Sequence, residues 1–395
     1  MDVLKEFPQV KSMVYLNTAG GGLIPRRAVK RLYSVIERIA VYEVSDEEVV
    51  ELMDELRSEA ARLIGARSEE VGLTTNTTTG LKTALSLIEL RKGDNVVSFD
   101  LEFPTVGAVT VSRCRKAGCE VRVVRNRNGT YSLDDIEKKV DANTKAIILS
   151  SVEWVNGYRF DLKAVAEIAE KVGAHLVVDA VQHVGSVSLD VHREKVDFLS
   201  AGGEKWMLSP LVGCGILYVR KDLIEKYEPP VYGLMNLDEP EEGWGEWWAN
   251  PGKNPWRIPK PAGSAVRYEW GGTPPLLGIV VLLESVKLLN EVGVQKIERN
   301  NLGLKEYLVE RITDLGGRIV SFVEDRRNWS SITTFRLSES FEEDRRIVKE
   351  LRRKKIVVAA RGSTGISGIR VSPHIYNTLE DIDLLISQLK ELQKY

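Results

Sequence analysis

Residues 176–185 read Leu-Val-Val-Asp-Ala-Val-Gln-His-Val-Gly, and residues 196–210 read Val-Asp-Phe-Leu-Ser-Ala-Gly-Gly-Glu-Lys-Trp-Met-Leu-Ser-Pro. In the first stretch, three apolar residues form a buried strand that ends on Asp179. Ligands of open α/β sheets bind at such carboxyl ends. A carboxylate buried there is costly without a cationic partner. A protonated ring nitrogen would be one, and Gln182 could reach an oxygen on the same ring. Alone, the motif is explained by an Asp that caps the following turn. In the second stretch an apolar strand runs into Ala201-Gly202-Gly203, where glycines let the backbone approach a ligand closely. Lys205 then stands among apolar residues, and lysine is seldom buried unpaired. A desolvated lysine becomes a nucleophile toward carbonyls. Alone, it reads as a surface lysine after a strand.

Working outward, short apolar runs recur at 95–99, 120–124, 146–149 and 176–178, with helical stretches such as 162–172 between several of them. Strands alternating with helices predict a largely parallel sheet covered on both faces. Helical spacing over 46–64 has a capping box at Ser45 and Glu48 and a stop at Gly65. The pattern breaks near Tyr227. From there to about Ala262 the chain is rich in Pro, Gly and Trp, including Trp244, Trp247, Trp248 and Trp256. That loop either packs on its own domain or walls an active site or interface. A long helix from near Pro275, extended runs at 332–337 and 356–359, and a helix over 380–392 capped by Thr378 predict a smaller α+β unit. The expected division is an N-terminal segment 1–20 packing on the small domain, a large domain 21–262 and a small domain 263–395.

Three further stretches carry polar chemistry. Residues 72–81, Gly-Leu-Thr-Thr-Asn-Thr-Thr-Thr-Gly-Leu, put hydroxyls at a helix N-terminus, which suits a phosphate or is an ordinary N-cap with spare threonines. In Asp-Leu-Glu-Phe-Pro-Thr, residues 100–105, Pro104 fixes the chain beside Phe103, which can stack on a flat ring. In Ile-Arg-Val-Ser-Pro-His-Ile-Tyr-Asn, residues 369–377, Arg370 is the single charge and suits a carboxylate or a structural ion pair.

At 395 residues the chain can build one large core and a smaller one. Its net charge of -2 supplies no field for nucleic acid. The N-terminus lacks the apolar core of a signal peptide, and the longest apolar run, 274–283, is about half of what spans a bilayer. Cys114, Cys119 and Cys214 make no CxxC pair, so the sequence reading is free thiols in a reducing cytoplasm, with no disulfide framework and no metal site. No G-x-G-x-x-G follows the first strand, which argues against a dinucleotide enzyme.

Jointly, these segments resemble the class V aminotransferase family, which contains the cysteine desulfurases and belongs to the fold type I pyridoxal 5′-phosphate (PLP) enzymes. The resemblance runs from Tyr15-Leu16-Asn17-Thr18-Ala19-Gly20 to Tyr376-Asn377-Thr378-Leu379-Glu380-Asp381. It implies that Lys205 carries PLP as a Schiff base and acts as the base at Cα. Asp179 pairs with the pyridine nitrogen, Gln182 bonds the ring oxygen and Phe103 stacks on the ring. Thr77 and Thr78 hold the phosphate beside Gly202, and Thr273 reaches it from the second subunit of a homodimer with shared sites. Arg370 takes the substrate carboxylate, while Asn17 and Arg361 line the pocket.

The sequence departs from the family at Gly202 and Glu204, where Ser and His are common; Glu204 is expected to point away from the phosphate. Trp154 replaces a common Asn, with Asn156 as a possible stand-in. Residues 359–369 lack the nucleophilic Cys of desulfurases, which disfavours persulfide formation. The nearest branch is the isopenicillin N epimerase-like proteins and cystine or selenocysteine lyases. The resemblance therefore implies a cytoplasmic PLP enzyme that deprotonates a free amino acid, as a C–S lyase or aminotransferase. The alternatives are an epimerase or a PLP-binding protein without turnover.

Overall fold

The computed structural model describes residues 3–254 and 256–393. Seven strands make the main sheet: β1 (Val71–Thr74), β2 (Asn95–Phe99), β3 (Glu120–Val124), β4 (Thr144–Ser150), β5 (His175–Asp179), β6 (Phe198–Gly202) and β7 (Gly215–Val219). Their order is β1-β7-β6-β5-β4-β2-β3. Neighbours are parallel except around β7, which is antiparallel to both β6 and β1.

Side chains along these strands alternate between two apolar layers. Val97, Ile147, Leu149, Val178 and Leu199 enter one, while Val96, Ala146, Ile148, Val177 and Phe198 enter the other. A sheet covered on both faces needs this continuous apolar run with period-2 sorting. The register sets Asp179 between Ser150 on β4 and Ser200 on β6, so β4 and β5 end together at Asp179 while β6 runs two residues further to Gly202.

A second sheet, antiparallel and four-stranded, has the order β10-β11-β9-β8, from β8 (Arg318–Ile319), β9 (Thr333–Arg336), β10 (Ala359–Ser363) and β11 (Ile366–Val371). Leu304, Leu308, Ile347, Leu351, Leu385 and Leu389 of three helices pack on it. The N-terminal segment joins this unit: Val14 and Tyr15 pair in parallel with Ile356 and Val357, and Asn17 bridges Ser372.

The mixed α/β architecture agrees with the sequence reading. Helix Leu276–Val292, which the expected division places in the small domain, buries Ile279, Val280, Leu282 and Val286 in the main core. Helix Asp46–Ile64 keeps half of the expected capping box: Ser45 accepts the Glu48 N–H, but the Glu48 carboxylate pairs with Arg38, and Gly65 ends the helix left-handed at φ 68. Its Arg57 makes a two-pronged ion pair with buried Glu269, which also accepts the Leu73 N–H. That pair fixes the segment leading into Gly271-Gly272-Thr273.

The cysteine reading needs correction: Cys114 and Cys119 are disulfide-bonded. Helix Pro104–Ala117 ends at left-handed Gly118, and this reversal returns the chain so that the two side chains meet. In the aromatic loop, Trp244, Trp247 and Trp248 pack on one another and Lys253 lies over two of the rings. Trp256 is 91% exposed.

Candidate active site

β5 delivers Asp179 buried to the pocket floor, and among the described residues only the Val181 N–H bonds its carboxylate. Burial raises it to about 6, against the pull of Lys205. Lys205 follows β6 and the Gly202-Gly203 turn. Burial lowers its amine below the ordinary lysine range, while Asp179 and Glu204 oppose the shift. Its Nζ lies 5.4 Å from the centre of the Phe103 ring. Phe103 caps helix Pro104–Ala117 and leaves 40% of its surface open. An anion, an amine nucleophile and a flat apolar face thus share one pocket.

Gln182 is buried and oriented from both ends: its Oε1 accepts the Trp206 indole N–H at 2.8 Å, and its Nε2 donates to Ala19 O at 3.1 Å. One amide hydrogen remains for a ligand oxygen.

Helix Thr77–Leu87 starts at the edge of the same pocket. Asn76 caps it by accepting the Thr79 N–H, which leaves the first-turn donors of Thr77 and Thr78 for an anion. Thr77 Oγ1 accepts the Gly202 N–H at 2.8 Å, tying the helix start to the end of β6. The exposed Thr78 lies near Thr105. These residues fit a phosphate on a flat, ring-bearing cofactor.

Glu204 is where the sequence expectation fails. It does not point away; a Cβ added at Gly202 would lie 2.0 Å from its Oε2. With no side chain at 202 to fill that space, the carboxylate folds over the glycine, where its charge is felt by both Asp179 and Lys205.

Asn156 is also corrected. Its Nδ2 donates to Gly129 O and its Oδ1 accepts the Tyr158 N–H, so its amide holds a turn. Trp154 has a function that the sequence reading missed. Its indole donates to Leu101 O, its ring meets Phe103 edge-on at 5.5 Å, and its carbonyl accepts from Arg370. The run of small and aromatic residues at 151–158 gave no sign that one residue braces two others.

Arg370 and Arg361 come from adjacent strands. Ala359 pairs with Arg370 and Arg361 with Gly368, so the period-2 alternation puts both arginines on one face. Arg370 is buried and makes two polar contacts, to Trp154 O at 2.6 Å and Asn17 Oδ1 at 3.5 Å. Burial lowers it to about 9, and Arg361 adds to the shift. Among the described residues neither arginine has a carboxylate partner, and both depress Lys205. Tyr15, also missed from sequence, lies in the field of Arg370. Thr273 is exposed in the turn before helix Leu276–Val292. Among the described residues no His, Cys, Asp and Glu cluster could hold a metal.

Comparison with known proteins agrees with this geometry. The aminotransferase class-V family model matches residues 14–385. A probable cysteine desulfurase of Pyrococcus abyssi is 26% identical, aligned over 100% of this chain and 97% of its own. Two solved structures share the fold. The apo cysteine desulfurase of Thermococcus onnurineus has a TM-score of 0.85 at 23% identity, covering 100% of this chain and 98% of its own. The cystine C-S lyase C-DES in complex with cysteine persulfide has a TM-score of 0.85 at 20% identity, covering 97% and 98%. The chain belongs to the class V aminotransferase family and is a pyridoxal 5′-phosphate-dependent enzyme.

Proposed function

We propose that this enzyme is a C–S lyase acting on a sulfur amino acid that carries a second carboxylate, cystine being the simplest. The observation that carries the reading is the pair of guanidinium groups, Arg361 and Arg370, turned to one face beside Lys205 without a carboxylate partner among the described residues. Buried cations without anions await an anionic ligand. Arg370, held by Trp154 and Asn17, is oriented for the α-carboxylate. Arg361, less buried, suits the distal one.

PLP, when bound, supplies an electron sink that stabilises negative charge at the substrate Cα. Asp179 would hold a proton on its ring nitrogen through its own charge, Gln182 would donate to its ring oxygen, Phe103 would pack on its ring, and the N-terminus of helix Thr77–Leu87 would take its phosphate. Lys205, its basicity lowered by burial, removes the Cα proton through Nζ. The Cβ–S bond then breaks with its electron pair on sulfur. The remaining 2-aminoacrylate hydrolyses to pyruvate and ammonium.

The cysteine inventory supports a lyase over a persulfide-forming desulfurase. Cys114 and Cys119 are bonded to each other, and Cys214 is buried with its thiol raised to about 12. None is a candidate sulfur acceptor. An aminotransferase for an acidic amino acid is the second reading, since two arginines also suit a dicarboxylate.

A homodimer belongs to the proposal, with exposed Thr273 offered to the partner's phosphate site, as do a cytoplasmic location and action on a free amino acid. The deciding assay supplies cystine without any 2-oxo acid. Pyruvate and persulfide are expected. Turnover that requires a 2-oxo acid, and converts it to an amino acid, overturns the lyase in favour of the aminotransferase.

A further inference from the structure

Behind the pocket floor lie two carboxylates that the reaction does not use. Glu102 is 9% exposed, and its oxygens accept from the Ser150 N–H at 2.7 Å and the Ser150 hydroxyl at 2.5 Å. Ser150 is the β4 residue paired with Asp179. Glu153 is fully buried, and neither of its oxygens has a hydrogen-bond partner. Among the described residues no lysine or arginine is ion-paired with either acid.

The groups facing them are nearly all acidic. Glu102 feels Asp179, and Glu153 feels Glu102, Asp100 and Asp179. The Tyr131 hydroxyl faces Glu153 without closing a full hydrogen bond, and donates to Asp100 at 3.0 Å while accepting the Leu101 N–H. The surrounding cations are engaged elsewhere. Arg125 is 3.9 Å from Asp100, Arg370 is bonded to Trp154 O, and Lys205 faces Asp179. Two buried carboxylates without a cation cannot both stay charged, so protons stay on the pair.

Chain position gives the pair its effect. Glu102 directly precedes Phe103, and Glu153 directly precedes Trp154. Those two rings pack edge to face, and Trp154 O anchors Arg370.

We propose that Glu102 and Glu153 are positioning residues, a protonated acid pair that locks Phe103 and Trp154 in place and keeps further negative charge from building up behind Asp179. The inference rests on the reading of this pocket as the PLP site. Ionising the pair puts like charges side by side in a dry core and pushes apart the two segments that carry Phe103 and Trp154.

The sign of the pH dependence follows. A carboxyl raised by folding stabilises the fold below the unfolded carboxyl value, and that contribution is lost as pH rises through the folded value, about 8 for Glu102.

The test compares PLP-loaded wild type with Glu153→Gln and Glu102→Gln across pH, reading KM and kcat for cystine, the cofactor absorbance bands and thermal stability. In wild type, KM is expected to rise ~10-fold from about pH 7 to about pH 9.5 with little change in kcat. The Gln variants keep KM within ~3-fold of wild type at neutral pH and lose the alkaline rise. Identical pH profiles in wild type and both variants overturn the proposal. An infrared measurement on wild type needs no variant and no turnover. A protonated-carboxyl band present at neutral pH and lost in alkali is expected, and its absence at neutral pH overturns the proposal even if the variants fail to fold. Failure of cystine turnover with the infrared band intact counts against the substrate reading alone.

Discussion

Among the described residues Arg370 is buried without a carboxylate partner, and that imbalance sets what its removal should do. Arg370→Ala is expected to raise KM for the amino acid by ~30-fold or more, corresponding to ~2–5 kcal/mol for a buried carboxylate deprived of its cation. Steady-state kinetics check it, and an unchanged KM removes Arg370 from the site. Glu204 acts in the opposite sense. Its carboxylate folds over Gly202 beside the start of helix Thr77–Leu87, the proposed phosphate site, so Glu204→Gln should tighten PLP binding by ~5-fold, as removal of one nearby like charge. Fluorescence titration of cofactor-free protein measures this, and weaker binding by the variant contradicts it. Asp179 supplies the pH dependence. Raised to about 6 without cofactor, it is neutral below that pH and cannot hold the ring nitrogen's proton. PLP affinity is therefore expected to fall as pH drops below about 6 and to level off above about 7. Equilibrium binding across that range tests it; affinity that does not fall on the acid side rules Asp179 out as the partner.

At the scale of elements, the site is assembled because β4 and β5 end in register beside β6, and helix Thr77–Leu87 is tied to the end of β6 through Thr77 and Gly202. A less visible tie is the Arg57–Glu269 pair, which joins helix Asp46–Ile64 to the segment before Thr273. Both side chains are almost wholly buried, at 8% and 2% exposure. Glu269→Ala leaves a buried guanidinium with, among the described residues, only the exposed Asp54 beside it, and should cost ~3–5 kcal/mol of stability. Thermal or denaturant unfolding reads this; a loss under about 1 kcal/mol would mean that the pair contributes little. Local sequence marked the elements well. Ser45 with Gly65 bracketed one helix and Thr378 began another, because caps are local chemistry. It could not mark the bend at Gly118 as a disulfide, since the distance between two cysteines depends on how the helix end folds back.

At the scale of the molecule, the proposed shared-site dimer makes a prediction that no single residue can make. Mixing inactive Lys205→Ala subunits with Thr273→Ala subunits that bind PLP weakly should restore activity in hybrids, because one of the two pockets then carries both lesions and the other neither. Activity assays after subunit exchange test it, and mixtures no more active than their parts exclude sharing through Thr273. What the sequence determined by itself was the alternation of strands and helices, together with the carboxylate, lysine, threonines and arginine from which the proposed site is built. These lie at strand ends and helix starts, where local pattern and backbone chemistry fix position. Only the tertiary structure decided the rest. It turned Glu204 inward because Gly202 leaves space, committed Asn156 to a turn, made Trp154 the brace between Phe103 and Arg370, and moved helix Leu276–Val292 into the large core. It also buried Glu102 and Glu153 without a cation. Each of these depends on which distant side chains share a volume, and burial, field and vacancy in a folded core are properties that no local stretch of sequence carries.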